Sequence, residues 1–418
     1  MIQFNNTKIF TDNIDQPALA QLHELDKTGV FAESQIRIMP DCHAGAGCVI
    51  GFTAPVKDKI IPNLVGVDIG CGMLCVNLGK IDIDYKLLDE IIRNRIPSGR
   101  NVSTFSDKAR GLIEQLRCKD HLTNRDWLEC SLGTLGGGNH FIEIDEGQHG
   151  EKYLVIHSGS RNLGKQVADY YQDRAAKEYR AASTTEVIAE LKAQGREKEI
   201  ADVLKVMKAE KPKLPRDLCY LQGDSMDEYL NDMQICTNFA DLNRETIAQR
   251  IISNYAAKWY ANGKNPQAME WGESFLHRRN GWEFDWKRIS FTTRHNYISL
   301  DGYIRKGAIS AKDGERVLIP LNMRDGCIIG IGKGNPDWNY SAPHGAGRIM
   351  SRSEAKKNLK LEDFQKTMEG IYSTSVSADT LDEAPFAYKP SDEIIELVAD
   401  TVYIEQIIKP VHNYKATE

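Results

Sequence analysis

No run of about 18 consecutive apolar residues occurs in the 418-residue chain, so no transmembrane helix is expected. The opening residues, MIQFNNTKIF, lack the basic-then-apolar pattern of a secretory signal. There is no repeat of fixed period, no low-complexity linker and no G-x-x-x-x-G-K-[ST] phosphate loop. Excess positive charge is missing too. The 53 Lys and Arg against 59 Asp and Glu leave a net −6, which argues against nonspecific coating of nucleic acid but allows a local basic groove. Nine cysteines, an odd number, show no paired framework, as expected for reduced thiols in the cytoplasm. Cys71 and Cys75 are close, but no second Cys/His pair follows at finger spacing, so a structural Cys₄ zinc site is set aside.

What is abundant is glycine, and its placement is uneven. Segments 36–79, 131–160 and 289–348 alternate short apolar runs with glycine turns, as strands meeting at tight turns do. Residues 163–211 are rich in Ala, Glu, Lys and Leu at spacings of three and four, with Gly195, Pro212 and Pro215 as punctuation. They predict helices that lie against a sheet or project from it. Residues 223–260 predict another long helix and 391–408 a last one. The length admits one large or two ordinary domains. The common texture of distant segments favours a single mixed α/β domain over 1–418, with the helical segment 163–215 upon it. Basic clusters at Arg93, Arg95 and Arg100, at 277–280 and at 352–360 each read singly as a solvated face.

Four histidines sit beside glycine or a small residue at the end of an apolar run. They are His43 in MPDCHAGAG, His140 in LGGGNHFIEI, His157 in VIHSGSRNLG and His344 in SAPHGAGR. His295 follows two threonines and an arginine. A lone histidine is usually structural, but strand ends flanked by glycine are where ligands and catalytic groups are placed. VGVDIGCGM crowds three glycines around Asp68 and Cys71, as a backbone that turns sharply or approaches something closely requires. These residues make a metal inventory suited to Mn, Zn or Fe, dispersed along the chain as in a catalytic cluster. LGTLGGGNHF offers unhindered backbone N–H groups for an anion. HSGSR and HGAGR each follow a histidine with an arginine, Arg161 and Arg348, whose guanidinium could bind phosphate. Together they point to metal-dependent phosphoryl chemistry with no substrate specified.

The motif set resembles the RtcB RNA ligases. The matching pieces are MPDCHAGAG, NLVGVDIGCGM, LGTLGGGNHFIEI, IHSGSRNLG, HNY, KGAISA, HGAGRIMSRSEA and a lysine near the C-terminus, in the family's order over almost the whole chain. The resemblance implies joining of RNA 3′-phosphate or 2′,3′-cyclic phosphate ends to 5′-hydroxyl ends, with GTP and two Mn²⁺. It places Asp68, Cys71, His140, His157 and His295 on the metals, Cys71 as the bridge, and guanylylation on His344. Asn139 matches a nucleotide-phosphate contact, Glu143 and Lys415 match guanine contacts, and Cys327 stands where a serine contacts the base. Arg161, Arg348 and Arg352 are candidates for RNA or triphosphate oxygens.

The stretch IPLNMRDGCIIG departs from the family at Leu321, Arg324 and Cys327, where glycines and the serine are usual, and this bears on base selectivity. Pro343 before His344 and Ala416 after Lys415 are further departures. They suggest a divergent branch, one that repairs cleaved RNA instead of splicing tRNA, within a family expectation of RNA repair or tRNA splicing. The expected partners are such RNA ends and an archease-like activator, with no membrane and a monomeric state. Two other readings stand beside this one. One is a noncatalytic RNA-end or nucleotide-binding paralogue; the other is a metal-dependent cyclic phosphodiesterase.

Overall fold

The computed structural model describes residues 1–209, 214–261, 275–278, 281–284 and 286–416. Its centre is a seven-stranded antiparallel sheet. In spatial order the strands are Ser290–Arg294, Gly72–Gly79, Lys152–Ser158, Phe141–Glu146, Val402–Lys415, Gly326–Gly332 and Arg316–Asn322. All three glycine-rich segments contribute, so distant parts of the chain meet as neighbours. The sheet curls until its two edges approach, with the Arg316 guanidinium 4.4 Å from the centre of the Phe291 ring. The interior of the curl holds Met73, Cys75, Val155, Leu318, Cys327, Ile329 and Ile408. The fold is mixed α/β, as expected.

A second sheet of six strands contains Ile36–His43, Ile50–Pro55, Tyr303–Lys306 and Asn296–Ile298. A two-stranded ribbon, Ala308–Ser310 with Ser341–Pro343, delivers His344 at its end. The β-branched content of these runs suits the pleated surface, and the intervening glycines close the turns.

The helix Asp224–Ala261 covers the outer face of the seven-stranded sheet. Ile247, Ile251 and Tyr255, four apart, pack with Leu74, Val76, Leu154 and Ile156. Burial of each such isoleucine is worth about 1.5–3 kcal/mol. The helix Arg161–Ala193 is of two kinds. Leu163, Val167, Tyr171 and Ala175 are buried at intervals of four, whereas beyond Ala175 only Leu191 is buried. The first half therefore lies against the body and the second half is largely exposed. Ile200–Ala209 is a further helix after Gly195; residues 210 and 211 of the expected 163–211 helix, and Pro212, lie outside the described residues, as do 279 and 280 of the basic cluster.

The expected helix over 391–408 is corrected. Ser391–Leu397 is helical, but Val402–Lys415 is a 14-residue strand. It lies between Gly326–Gly332 and Phe141–Glu146, near the middle of the sheet. Its run of Val, Tyr and Ile has high β propensity, and two flanking strands satisfy its backbone. Pro410 supplies no N–H, and the register shifts beside it, between Pro410 and His412.

Candidate metal centre and the adjoining pocket

The turn carrying Asp68 and Cys71 leads into Gly72–Gly79. Gly70 has φ +73°, and a Cβ there would lie 2.7 Å from Thr237 Cα of the long helix. Glycine is required at this position on both counts. The Gly70 N–H donates to Asn296 O at 2.7 Å and the His295 N–H to Cys71 O at 3.0 Å, which brings His295 to the turn. His157 is paired with Met73 across one strand border and with Phe141 across the other, and His140 immediately precedes Phe141.

The five side chains form a chain of close contacts with Cys71 at its centre. Cys71 Sγ lies 3.5 Å from His140 Nε2 and 3.3 Å from His157 Nε2. His140 Nε2 lies 3.1 Å from Asp68 Oδ2, and His157 Nε2 lies 3.4 Å from His295 Nε2. The opposite ring nitrogens of two histidines face carbonyls: His140 Nδ1 is 2.8 Å from Leu135 O and His157 Nδ1 is 3.1 Å from Asn139 O. Each Nδ1 therefore donates, and His157 Nε2 turns a lone pair toward the thiol, whereas His140 Nε2 faces both the thiol and the Asp68 carboxylate, to which it donates when it carries a proton. Asp68 Oδ1 and His295 Nδ1 are buried without a hydrogen-bond partner.

Electrostatics agree with a cation site. Burial, and then the neighbouring His140 ring, hold His157 well below the usual imidazole range. Burial and His344 do the same for His295, which favours the neutral form of both rings, the form that can ligate a metal. Burial and the Asp68 carboxylate push the Cys71 thiol up. Burial opposes ionisation of Asp68, but the hydrogen bond and charge of His140, with Arg161 behind, bring its carboxyl below the ordinary value. Convergent imidazole nitrogens, one thiol and a partnerless buried carboxylate oxygen fit divalent transition ions better than magnesium or calcium.

His344 stands beside this cluster, its ring centre 4.9 Å from that of His295. Its Nδ1 is 2.6 Å from Asp41 Oδ2, which also accepts the backbone N–H groups of His344 and Gly345 at 3.1 and 3.2 Å. Asp41 is fully buried. In the neutral ring it fixes the proton on Nδ1 and leaves Nε2 as the free nitrogen. Asp41 was missed in the sequence, although it lies in MPDCHAGAG; the neighbouring His43 drew attention instead. His43 Nδ1 rests on Asp41 O at 3.0 Å.

A cavity of about 240 Å³ opens at His344 and is walled by Asn139, Glu143, Leu321, Arg348, Arg352 and Lys415, among others. Seven of the expected site residues thus line or border one space: His157, His344, Asn139, Glu143, Arg348, Arg352 and Lys415. Lys415 Nζ lies 2.7 Å from Glu383 Oε2 and donates to Asn139 O at 3.0 Å. Arg352 reaches Glu383 at 2.8 Å and Arg348 reaches it at 3.3 Å. Glu383 is thus the common anion of three cations, and no motif in the sequence marked it. Burial opposes its charge, but Lys415, Arg352 and Arg348 bring its carboxyl down to about 2.

Two expected residues lie elsewhere. Arg161 is outside the cavity wall, with its NH1 3.3 Å from His140 Nδ1 and its Nε 3.3 Å from Thr134 Oγ1. Cys327 is fully buried behind Glu143, donating its thiol to Glu143 Oε1 at 3.3 Å. The side chain that walls the cavity in that loop is Leu321, with its neighbours.

Comparison with known proteins gives the family of the chain. The family model described as "tRNA-splicing ligase RtcB" matches residues 21–126 and 114–416. The RNA-splicing ligase RtcB1 of Escherichia coli strain ATCC 25922 is 29% identical over 412 residues, covering 91% of this chain and 90% of the relative. The RNA-splicing ligase RtcB of Escherichia coli K12 is 29% identical over 406 residues, with the same coverage. The tRNA-splicing ligase RtcB of Aeropyrum pernix is 27% identical over 455 residues, covering 89% and 85%. With the family model spanning most of the chain and its relatives matched over most of their lengths, the chain belongs to the RtcB family of ligases.

Proposed function

We propose that the chain is an RNA ligase, a single RtcB-like domain that joins a 3′-phosphate or 2′,3′-cyclic phosphate end to a 5′-hydroxyl end, with GTP and Mn²⁺, through a histidine–GMP intermediate. The observation that carries this reading is the Asp41–His344 pair, with its free Nε2 between the cavity and the five-ligand cluster.

The chemistry follows from these groups. His344 Nε2 attacks the α-phosphorus of GTP; a P–N bond forms, and the bond to the β-phosphate oxygen breaks as pyrophosphate leaves. The ring becomes cationic, and Asp41, holding Nδ1–H at 2.6 Å, stabilises that charge. Asp68, Cys71, His140, His157 and His295 would hold the Mn²⁺ ions. The ions supply Lewis-acid neutralisation of phosphate charge. Arg348 and Arg352 face the same space and would hold phosphate oxygens of the nucleotide or RNA, at the expense of their contacts to Glu383. Transfer of GMP to the RNA 3′-phosphate restores His344, and attack by the 5′-hydroxyl on the activated phosphate expels GMP. RNA is the proposed partner, at repair or splicing breaks. An archease-like activator, a monomeric state and a cytoplasmic location complete the reading.

The test is incubation with α-³²P-GTP and Mn²⁺, wild type beside His344→Ala, followed by denaturing electrophoresis. Acid-labile label that needs Mn²⁺ and is lost in the variant is expected. Metal-loaded protein that takes no label, with or without an activator, yet opens cyclic phosphates would make it a phosphodiesterase. If it does neither but still binds RNA ends, it is a binding paralogue.

A further inference from the structure

Inside the curl of the seven-stranded sheet, behind the cavity wall, lies a second group of acidic side chains. Glu143 and Asp145 are two apart on Phe141–Glu146 and so face the same way. Cys327, from Gly326–Gly332, joins them, and ligand atoms of the three all lie within 4.8 Å of one another. Asp145 is 0% exposed, and neither of its carboxyl oxygens has a hydrogen-bond partner. Beside them Asn413 donates to Glu143 Oε2 at 2.8 Å and leaves its own buried Oδ1 unpartnered. The two lysines whose charge reaches the pair are engaged elsewhere. Lys415 is on Glu383 at 2.7 Å, and Lys409 donates to Asp325 O at 3.0 Å. Two carboxyls and a thiol thus share a buried space, and among the described residues no cation is paired to them. A buried carboxylate without partner or counter-charge is costly, and the site must take up either protons or a cation.

We propose that Glu143, Asp145 and Cys327 form a second cation site, separate from the Asp68/Cys71/histidine cluster, for a thiophilic divalent ion of the zinc class. The spacing suits one ion. Metal–sulfur and metal–oxygen bonds of about 2.3 and 2.0–2.2 Å at a tetrahedral centre put sulfur and oxygen about 3.5 Å apart. Cys327 Sγ and Glu143 Oε1 are 3.3 Å apart. A thiolate with two carboxylates selects zinc-like ions over magnesium or calcium. In the absence of the ion, burial pushes all three groups up, so they hold protons. Binding forms one metal–sulfur and two metal–oxygen bonds, and the displaced protons pass to solvent through the cavity that Glu143 borders. The site needs no nucleotide and its metal content is read without any ligation step, although a Glu143 held by an ion is not at the same time free for the guanine contact that the resemblance implies.

The test is metal content by mass spectrometry after equilibration with Zn²⁺ and removal of excess, for wild type, Cys327→Ser and Asp145→Asn. The expected result is one equivalent per chain fewer in each variant. A second measurement does not depend on the folding of Asp145→Asn. Cd²⁺ added to Cys71→Ala should give a thiolate-to-metal ultraviolet band that disappears in Cys71→Ala/Cys327→Ser. Equal zinc in all three proteins, or a Cd²⁺ band unchanged by Cys327→Ser, would overturn the site and leave Glu143 and Asp145 sharing a proton.

Discussion

Asp41 has a part in the proposed chemistry that it plays through His344. One carboxylate oxygen receives three N–H groups, from the His344 ring, the His344 backbone and Gly345. Asp41→Asn keeps the shape but can place an NH₂ where only an acceptor fits, turning the imidazole toward the wrong tautomer. The rate of His344 labelling should fall by about 100-fold or more, in the range of other groups that orient a reacting histidine. Half-saturating GTP and bound metal should change little, since Asp41 touches neither the cluster nor the far wall. A matching loss of metal would instead make Asp41 part of the metal support. Residue by residue, the five side chains that converge around Cys71 were legible because the thiol, carboxylate and imidazoles stand in recognisable motifs. Cys327 shows the limit. A residue in the right motif position points into the sheet interior, because side chains alternate along a strand and its face is the buried one.

At the scale of elements, the helix Asp224–Ala261 is a brace for the metal loops as well as a covering layer. Asn243 Oδ1 accepts from the Gly133 and Thr134 N–H groups at 2.7 and 3.1 Å, and its Nδ2 donates to Thr134 O at 3.0 Å. Arg244, buried, donates to Gly70 O at 3.0 Å and Ser158 O at 2.7 Å. Thr237 and Ala240 leave room only for a hydrogen at Gly70. Gly70→Ala should therefore destabilise the fold by about 1–3 kcal/mol through left-handed strain and overpacking against Thr237. A lowered denaturation midpoint with an unchanged denaturant dependence would register it, and an unchanged midpoint would show that the turn relaxes. The periodicity of 223–260 marked the helix, but no periodicity marks which loops its polar residues hold. The 391–408 expectation failed for a related reason. Ser391–Leu397 begins as a helix, yet the following residues find two partner strands remote in sequence, and pairing overrides local preference.

For the whole molecule, Glu383 joins three regions: the C-terminal strand through Lys415, the helix Arg352–Asn358 through Arg352, and the HGAGR loop through Arg348. Its carboxyl, at about 2 against an ordinary 4.5, is more acidic folded than unfolded. Its stabilisation is therefore present above about pH 4.5 and fades as pH falls toward 2. The shift corresponds to about 3 kcal/mol. In urea unfolding, the stability gap between wild type and Glu383→Gln should shrink across that window; a gap independent of pH would remove the ionised carboxylate as its cause. Among the described residues no helix is long and apolar enough to cross a membrane.

The sequence by itself determined the mixed α/β class, the glycine-rich strand ends and the kinds of donor group set there, because backbone permissiveness and donor chemistry belong to individual residues and short motifs. Only the tertiary structure decided that Asp41 meets His344 across 303 positions, that Glu383 gathers Lys415, Arg348 and Arg352, and that Val402–Lys415 lies near the middle of the sheet. Those facts depend on which distant strands pair and what their pairing buries, and local preferences do not encode that.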